Sequence, residues 1–463
     1  MGTLDELIGR LKGEDFKPIL VAGYPNIDLV GSLDEYELEQ LNQGLNLDEH
    51  ISFEENCLKF KGRAIKLGDT GYYLEKPKEM IDSEGIFVKA LMEGKKYTSS
   101  ECCTTVIGCD CIEVPIPESG IGIGGGISNS LLAFWQLFGE SPNYNQMIYS
   151  IAPVGKGETF IKKKLKEYSN ALLFEIEGIG PRVNWVIPSC TLKGAVLIIK
   201  DRIIIKHPAQ EISLGYDEYK QALDSMLSGK HISTIFINGS KSSSDIENAI
   251  KYSGNKGTHL VSVVTDSTAR LDNISELLSK STYIANNEEL GVLCNEKTSE
   301  KECGTELIDP KAVLNATRTL RERQGETPQN IYVTLGESGS ISLDRGGNAT
   351  WVGIYSSAWA YSPNKNGFGD TFAAGIALAE NTDRTIQPVD AQIFATALVS
   401  SKIRSPEQSV EHLDEVRNLI TYNHVPVIYL GKLDSNHVYQ MSDGNVQRLA
   451  DWFKIDPFIR NAK

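Results

Sequence analysis

Asn366-Gly-Phe-Gly-Asp-Thr-Phe-Ala-Ala-Gly-Ile-Ala-Leu-Ala379 is the stretch whose reading decides the fold. Gly367 and Gly369 frame an aromatic residue, Asp370 follows at once, and small and apolar residues continue without a breaker. The pattern predicts a tight turn feeding the first turn of a buried helix. Glycines let backbone approach a ligand closely, and the free N–H groups and macrodipole of a helix start favour an anion there. Asp370 is repelled by such an anion. Two readings therefore stand side by side: Asp370 caps the helix, or it is a base acting on a hydroxyl next to a phosphate.

The composition narrows the setting. A chain of 463 residues with 41% hydrophobic and 23% charged residues is ordinary for a globular protein and accommodates one large α/β domain with insertions, or two domains. A formal charge of -15 argues against a nucleic-acid or anionic-membrane partner, since both need a basic surface. A nucleotide is still allowed, because local N–H groups and a few cations hold a phosphate. No apolar run reaches membrane-spanning length, and the charged amphipathic start, Met1 to Lys17, lacks the apolar core of a signal peptide. A cytoplasmic protein is the expectation. Among eight cysteines, Cys102, Cys103, Cys109 and Cys111 cluster without the two-residue spacer of a zinc knuckle, and reduced cysteines in a pair of strands are expected. The seven histidines form no metal-ligand spacing.

Read in order, Pro18 to Ala22 is a short apolar run ended by Gly23, as in a buried parallel strand. It leads into the polar loop Gly23-Tyr-Pro-Asn-Ile-Asp28, and the carboxyl ends of strands are where open α/β sheets bind ligands. Asp28 is suited to vicinal hydroxyls, or is simply a turn aspartate. Residues 31–120 carry strand-like and charged helical pieces to which no function is assigned, with an antiparallel flap expected over Thr104 to Pro117. Gly120, Gly122 and Gly125 match a dinucleotide G-x-G-x-x-G, but Pro115, Pro117 and Ser119 are poor for the strand that fingerprint requires. A glycine-rich loop before a helix from Leu131 to Phe138, with Asn129 offering donor and acceptor, is the better reading.

From Met147 onward, apolar runs and helical segments alternate in the manner of βαβ units. Strands are expected at Met147 to Gly155, Ala171 to Phe174, Val183 to Pro188, Ala195 to Ile199, Ile203 to Lys206, His231 to Ile237, Leu260 to Val264 and Tyr283 to Ala285. The last ends at Asn286-Asn-Glu-Glu289, suited to a hydrated Mg²⁺, or else the first turn of the next helix. Ile331 to Leu335 is a strand with its turn at Gly336-Glu-Ser-Gly339, followed by a hairpin of Ser340 to Leu343 with Thr350 to Ile354. After the opening stretch come helices at Asp390 to Ile403 and near Asp414 to Ile420, a strand at Val425 to Leu430 and a hairpin through Asp443-Gly-Asn445.

Five motifs stand in a fixed order: Gly23-Tyr-Pro-Asn-Ile-Asp28, Gly124-Gly125-Gly-Ile-Ser-Asn129, Asn286-Asn-Glu-Glu289, Thr334-Leu-Gly336-Glu-Ser-Gly339 and Asn366-Gly-Phe-Gly-Asp-Thr-Phe-Ala-Ala-Gly. Together they resemble the ribokinase-like (PfkB) family of sugar and nucleoside kinases. The resemblance implies a central, mostly parallel sheet flanked by helices, with a smaller β-rich lid. It implies Asp370 as the base, with the N–H groups of Gly367, Phe368 and Gly369 as the anion hole. Asn26, Asp28, Gly124, Gly125 and Asn129 would hold a sugar or nucleoside acceptor. Asn286 and Glu289 would position Mg²⁺, and Thr334, Gly336, Gly339 and Asn366 would line the nucleotide, with ATP as donor.

One domain over 1–463 is expected, with 31–120 inserted as lid or oligomer interface, 404–463 as a C-terminal extension, and a homodimer through the lid. The chain departs from the family in three places. Roughly ninety residues separate Asp28 from the glycine pair, Phe368 replaces an alanine, and Asn364-Lys365 stand where Asp-Thr is usual. The long insertion and the altered turn motivate a second reading, a catalytically silent nucleotide-binding scaffold or regulatory subunit.

Overall fold

The computed structural model describes residues 2–12, 16–30, 121–177, 215–355, 367–404 and 409–453, short gaps apart, and gives only the backbone of strands within 52–116 and 183–206. Helix α1 (Gly2–Lys12) precedes β1 (Ile19–Ala22) and β2 (Asn26–Val30). Next come β3 (Thr70–Tyr73), β4 (Ile121–Gly124), α2 (Gly126–Phe138), β5 (Ile148–Gly155), α3 (Thr159–Tyr168) and β6 (Asn170–Ile176). The long hairpin of β7 (Val183–Lys193) and β8 (Val196–Lys206) is followed by α4 (Tyr216–Leu227), β9 (Thr234–Ile237), α5 (Ser243–Lys256), β10 (His259–Val263) and α6 (Ile274–Lys280). The chain continues through β11 (Thr282–Asn286), α7 (Asn287–Cys294), α8 (Pro310–Gln324), β12 (Ile331–Thr334), β13 (Ser340–Leu343) and β14 (Asn348–Val352). Helices α9 (Phe368–Thr382), α10 (Pro388–Arg404) and α11 (Leu413–Tyr422), then β15 (Val427–Leu433), β16 (Tyr439–Met441) and α12 (Asp443–Phe453), end the described chain.

Among the described residues, eleven strands form one sheet in the order β6-β5-β1-β9-β10-β11-β12-β13-β14-β15-β16. From β6 to β12 every pairing is parallel; from β12 onward every pairing is antiparallel. The parallel strands are apolar on both faces because helices cover both. Ile19 and Val21 enter one core with α1, α2, α3, α9, α10 and α11, whereas Leu20 enters the other with α4 to α8 and α12. That alternation is the period-two geometry of a strand. A second sheet of five strands, β3-β8-β7-β2-β4, carries the lid, with β2 joining the two sheets directly after β1. The fold is thus the helix-flanked, mostly parallel α/β architecture with a smaller β-rich sheet.

Helix α9 is nearly enclosed: Thr371 through Thr382 are all buried. Its small residues allow this. A Cβ on Gly375 would stand 2.7 Å from Ala395 Cα of α10, so the two backbones touch where a larger residue would force them apart. The expected packing of these two helices is present.

Several expectations shift in detail. Asn26 and Asp28 lie on β2 rather than in a loop, paired antiparallel with β4 so that Asn26 faces Gly124 and Asp28 faces Gly122. The glycine-rich segment is likewise partly a strand, and its helix begins at Gly126 rather than Leu131. The pieces Ala195 to Ile199 and Ile203 to Lys206 are one strand. Its register against β7 shifts between Ser189 and Cys190, so that Lys200 is the extra residue of a bulge. Asp443-Gly-Asn445 is not the turn of the last hairpin; it opens α12, while β15 and β16 pair ahead of it. Asp, Gly and Asn serve helix starts as readily as turns, so the local sequence did not separate the two. The pairing of Cys103–Ile107 with Ile112–Ile116 is antiparallel, as expected for the flap. The rest of the cysteine cluster, Asn364, Lys365 and Asn366 lie outside the described residues. No helix among the described residues is long and apolar enough to cross a membrane.

Candidate active site

The site gathers at the carboxyl ends of β1, β9, β11 and β12, where strand ends present unpaired backbone and the following residues turn over the sheet edge. Gly367 is the N-cap of α9, with φ 71° and ψ 12°. This left-handed conformation is costly for residues with a Cβ, and it turns the chain abruptly into the helix. Thr371 locks the turn, donating from both its N–H and Oγ1 to Gly367 O at 2.8 Å. The N–H groups of Phe368, Gly369 and Asp370 belong to the first turn, where no intrahelical carbonyl is available to them.

Asp370 has no bond to its own helix's N–H groups among those seen. Its carboxylate instead accepts from two amides on other elements. Asn129 Nδ2 of α2 donates to Oδ2 at 2.7 Å, and Asn238 Nδ2, just past β9, donates to Oδ1 at 3.1 Å. Asp370 occupies the first helical turn, where the dipole favours its charge, but its oxygens are directed to neighbouring elements rather than spent on capping.

A cation completes this end of the helix. Lys402 of α10 is only 6% exposed; its Nζ lies 3.5 Å from Thr371 Oγ1 and would sit 3.2 Å from a Cβ placed on Gly367. A buried ammonium beside the positive end of a helix is unfavourable unless negative charge is near. Lys402 and the first-turn N–H groups thus place positive charge together at this end of α9.

The lid-side residues form a second group, joined to the first by α2. Asn129 N–H donates to Gly125 O at 3.0 Å. Asp28 lies over Gly124 so closely that a Cβ there would be 2.0 Å from its carboxyl group, and a Cβ on Gly125 (φ 84°) would be 2.5 Å from Asn26 Oδ1. The glycine pair thus makes room for the protein's own Asn26 and Asp28. Asn26 Nδ2 also reaches Asp28 Oδ1 at 3.5 Å.

A third group lies two strands from β9, roughly 10 Å away at the usual strand spacing. Asn286 ends β11 opposite Thr334 of β12. Asn286 and Glu289 form a reciprocal capping box: Asn286 Oδ1 accepts from Glu289 N–H at 2.8 Å, and Glu289 Oε2 accepts from Asn286 N–H at 2.9 Å. The N-x-x-E spacing is therefore accounted for by the start of α7. A carboxylate there still suits Mg²⁺, which keeps several waters and is bound through one or two carboxylates plus phosphate oxygens. Among the described residues no group of three or more His, Cys, Asp or Glu could hold a metal by itself, so an all-protein cage does not exist there. Gly336 and Gly339 both have positive φ, 57° and 90°, around a single 3-10 turn that returns the chain from β12 into β13.

Asn238 and Lys402 belong to none of the five motifs. Asn238 was legible as the first polar residue after the apolar run ending at Ile237, followed by glycine. Lys402 lay in the last turn of a helix, where lysine is unremarkable, and nothing local marks it as buried.

No protein-family model matches the chain, and no curated protein matches it in sequence. Solved structures do. A ribokinase from Arabidopsis thaliana, complexed with ribose and ATP, is 14% identical; the match covers 88% of this chain and 99% of that one, with a TM-score of 0.52. An adenosine kinase from Sinorhizobium meliloti is 13% identical over 84% and 95%, with a TM-score of 0.53. The phosphofructokinase-2 from Escherichia coli in complex with fructose-6-phosphate is 14% identical over 88% and 99%, with a TM-score of 0.51. The chain has the ribokinase-like fold shared by these sugar and nucleoside kinases.

Proposed function

We propose that this protein is an ATP-dependent, Mg²⁺-requiring phosphotransferase that moves a γ-phosphoryl group to an alcohol of a sugar or nucleoside. The observation that carries the reading is the Asp370 carboxylate, held by two amides from other elements in the first turn of α9, beside N–H groups and a buried Lys402. A base next to an anion site is what alcohol phosphorylation needs. The neighbours of known activity share the fold and phosphorylate this class of acceptor by name.

In the proposed reaction Asp370 takes the proton of the acceptor hydroxyl as its oxygen bonds to the γ-phosphorus. The bond from that phosphorus to the β–γ bridging oxygen breaks, and ADP leaves with the electron pair. The N–H groups of Gly367, Phe368 and Gly369 and the Lys402 ammonium receive the equatorial phosphoryl oxygens, where charge is spread in the transition state. Asn26, Asp28, Gly124, Gly125 and Asn129 form the acceptor side. Thr334, Gly336 and Gly339 form the nucleotide side. Glu289 and Asn286 would hold Mg²⁺, which would supply charge neutralisation to the phosphates. Phe368 narrows the anion-hole turn without removing its N–H.

The test is nucleotide consumption with Mg²⁺ against a panel of sugars, sugar phosphates and nucleosides. Turnover with at least one acceptor is expected, and Asp370→Asn is expected to lower kcat by about 10²–10⁴-fold with nucleotide binding nearly intact. Tight nucleotide binding with no turnover on any acceptor would replace this reading by the scaffold one. Full activity in Asp370→Asn would remove the base assignment.

A further inference from the structure

Asn238 is 1% exposed and stands at the centre of three elements. Its N–H donates to Ala22 O of β1 at 2.9 Å, which fixes its backbone to the sheet. Its Nδ2 faces Gly126 O at 3.0 Å, Ser130 Oγ at 2.9 Å and Asp370 Oδ1 at 3.1 Å. Gly126 O and Asp370 Oδ1 can only accept, which settles the orientation of the amide. A Cβ on Gly126 would lie 2.0 Å from Asn238 Oδ1, so α2 can start here only because that position is glycine. Asn129 differs from Asn238 in placement. It is half-buried, on the lid side, and holds the other carboxylate oxygen.

We propose, resting on the phosphotransferase reading above, that Asn238 is the positioning residue of the base. It anchors Asp370 Oδ1 permanently, and it leaves Oδ2, whose amide partner is on the open side, as the oxygen that takes the acceptor's proton. The division follows from accessibility. An enclosed amide with its backbone tied to β1 has nowhere to go when the acceptor arrives, whereas the Asn129 amide can share Oδ2 with an incoming hydroxyl. A side-chain carboxylate rotates about two bonds, and one buried donor on Oδ1 fixes both, so orientation is set before the acceptor binds. Of the charged groups on other elements, Lys402 of α10 reaches Thr371, next to Asp370, with Nζ 3.5 Å from Oγ1, and Asp245 of α5 lines a cavity with Ala22, Gly23 and Ile237 beside Asn238; Asn129, Ser130 and Thr371 are neutral.

The experiment uses the full chain and two independent readouts. Asn238→Asp is nearly isosteric and places a second carboxylate about 3 Å from Asp370, so the two cannot both ionise readily. The pair's folded pKa is raised, so this variant should lose stability relative to wild type as pH rises from about 4 through neutrality. The swap Asn238→Asp with Asp370→Asn re-forms an amide–carboxylate bond and should remove that pH dependence. In turnover with an acceptor found by the screen, Asn238→Asp should move the acid limb of the kcat profile up by about one pH unit or more. Asn238→Leu should lower kcat at least about tenfold with the nucleotide KM little changed, while Asn129→Ala should act chiefly on the acceptor KM.

Coupling in the denaturation series with a wild-type kcat profile in Asn238→Asp and Asn238→Leu would overturn the positioning role and leave the phosphotransferase reading standing. A denaturation series without coupling would overturn the contact itself. Absence of turnover in the wild type, with coupling intact, would remove the reaction and with it the role assigned to Oδ2.

Discussion

Glu380 gives the sharpest test of how α9 is held. It lies ten residues beyond Asp370 on the same helix, about 15 Å further along at the usual rise, and is 2% exposed. Its carboxylate accepts four hydrogen bonds from the amino-terminal ends of three neighbouring strands. His259 Nε2 and Thr282 Oγ1 bond Oε2 at 2.8 and 2.6 Å; Asn330 Nδ2 and Tyr332 OH bond Oε1 at 2.8 and 3.0 Å. Burial alone would raise its pKa, but the hydrogen bond and charge of His259, with Asn330 and Thr282, more than reverse this and hold it at about 2 against an ordinary 4.5. At about 1.36 kcal/mol per pH unit this corresponds to roughly 3 kcal/mol of stability. Because the folded value is the lower one, the contribution is fully present above about pH 4.5 and is lost as pH falls towards 2.

Glu380→Gln keeps the size but turns one acceptor oxygen into an NH₂ facing two donors. Breaking a buried, charge-assisted set in this way typically costs about 3–5 kcal/mol. The variant should therefore be destabilised by about that amount at pH 7, read as a shift of the urea midpoint at unchanged slope. The gap from wild type should narrow as pH falls from 4.5 towards 3. Nucleotide affinity of the folded fraction should be near normal, since the first turn of α9 is three turns away. A loss under about 1 kcal/mol at pH 7, or a gap that does not change with acid, would refute the account of Glu380 as a charged anchor.

The other expectations concern the reaction. Lys402→Met should lower kcat at least about tenfold through lost stabilisation of phosphoryl charge; wild-type kcat would confine Lys402 to packing. Glu289→Gln keeps a capping-box partner, so stability should be unchanged, while the Mg²⁺ concentration for half-maximal rate should rise about tenfold. An unaltered Mg²⁺ dependence would leave Glu289 a cap and nothing more.

The linear sequence was most informative where a local pattern coincides with what the fold demands of it. Asn366 to Ala379 combines a turn, an acidic residue and a breaker-free run of small side chains, and only a buried helix accepts that run; α9 begins at Phe368, as the pattern predicts. The parallel strands were legible for the same reason, because burial on both faces leaves uninterrupted apolar runs such as Ile19 to Val21. Pattern and structure part where one local composition serves two structures: the glycines at 122–126 have the composition of a loop but form a strand end and a helix start, and Asp443-Gly-Asn445 has that of a turn but opens a helix.

What the sequence could not supply is anything that depends on residues remote in the chain meeting in space. Asp370 as cap or base was undecided locally, because a carboxylate in a first helical turn suits both. Tertiary structure adds Asn129 and Asn238, 241 and 132 residues away, whose amides take both oxygens and direct the carboxylate to neighbouring elements; the role of base is our proposal. Lys402 and Glu380 look like ordinary surface charges on helices until tertiary packing buries one beside the N-terminus of α9 and the other beneath the strand ends. Periodicity reports which face of an element is apolar; it does not report which polar groups from other elements will be enclosed with it. That enclosure lowers the local dielectric and forces each charge to find partners, and it is the step at which a helix start becomes a site.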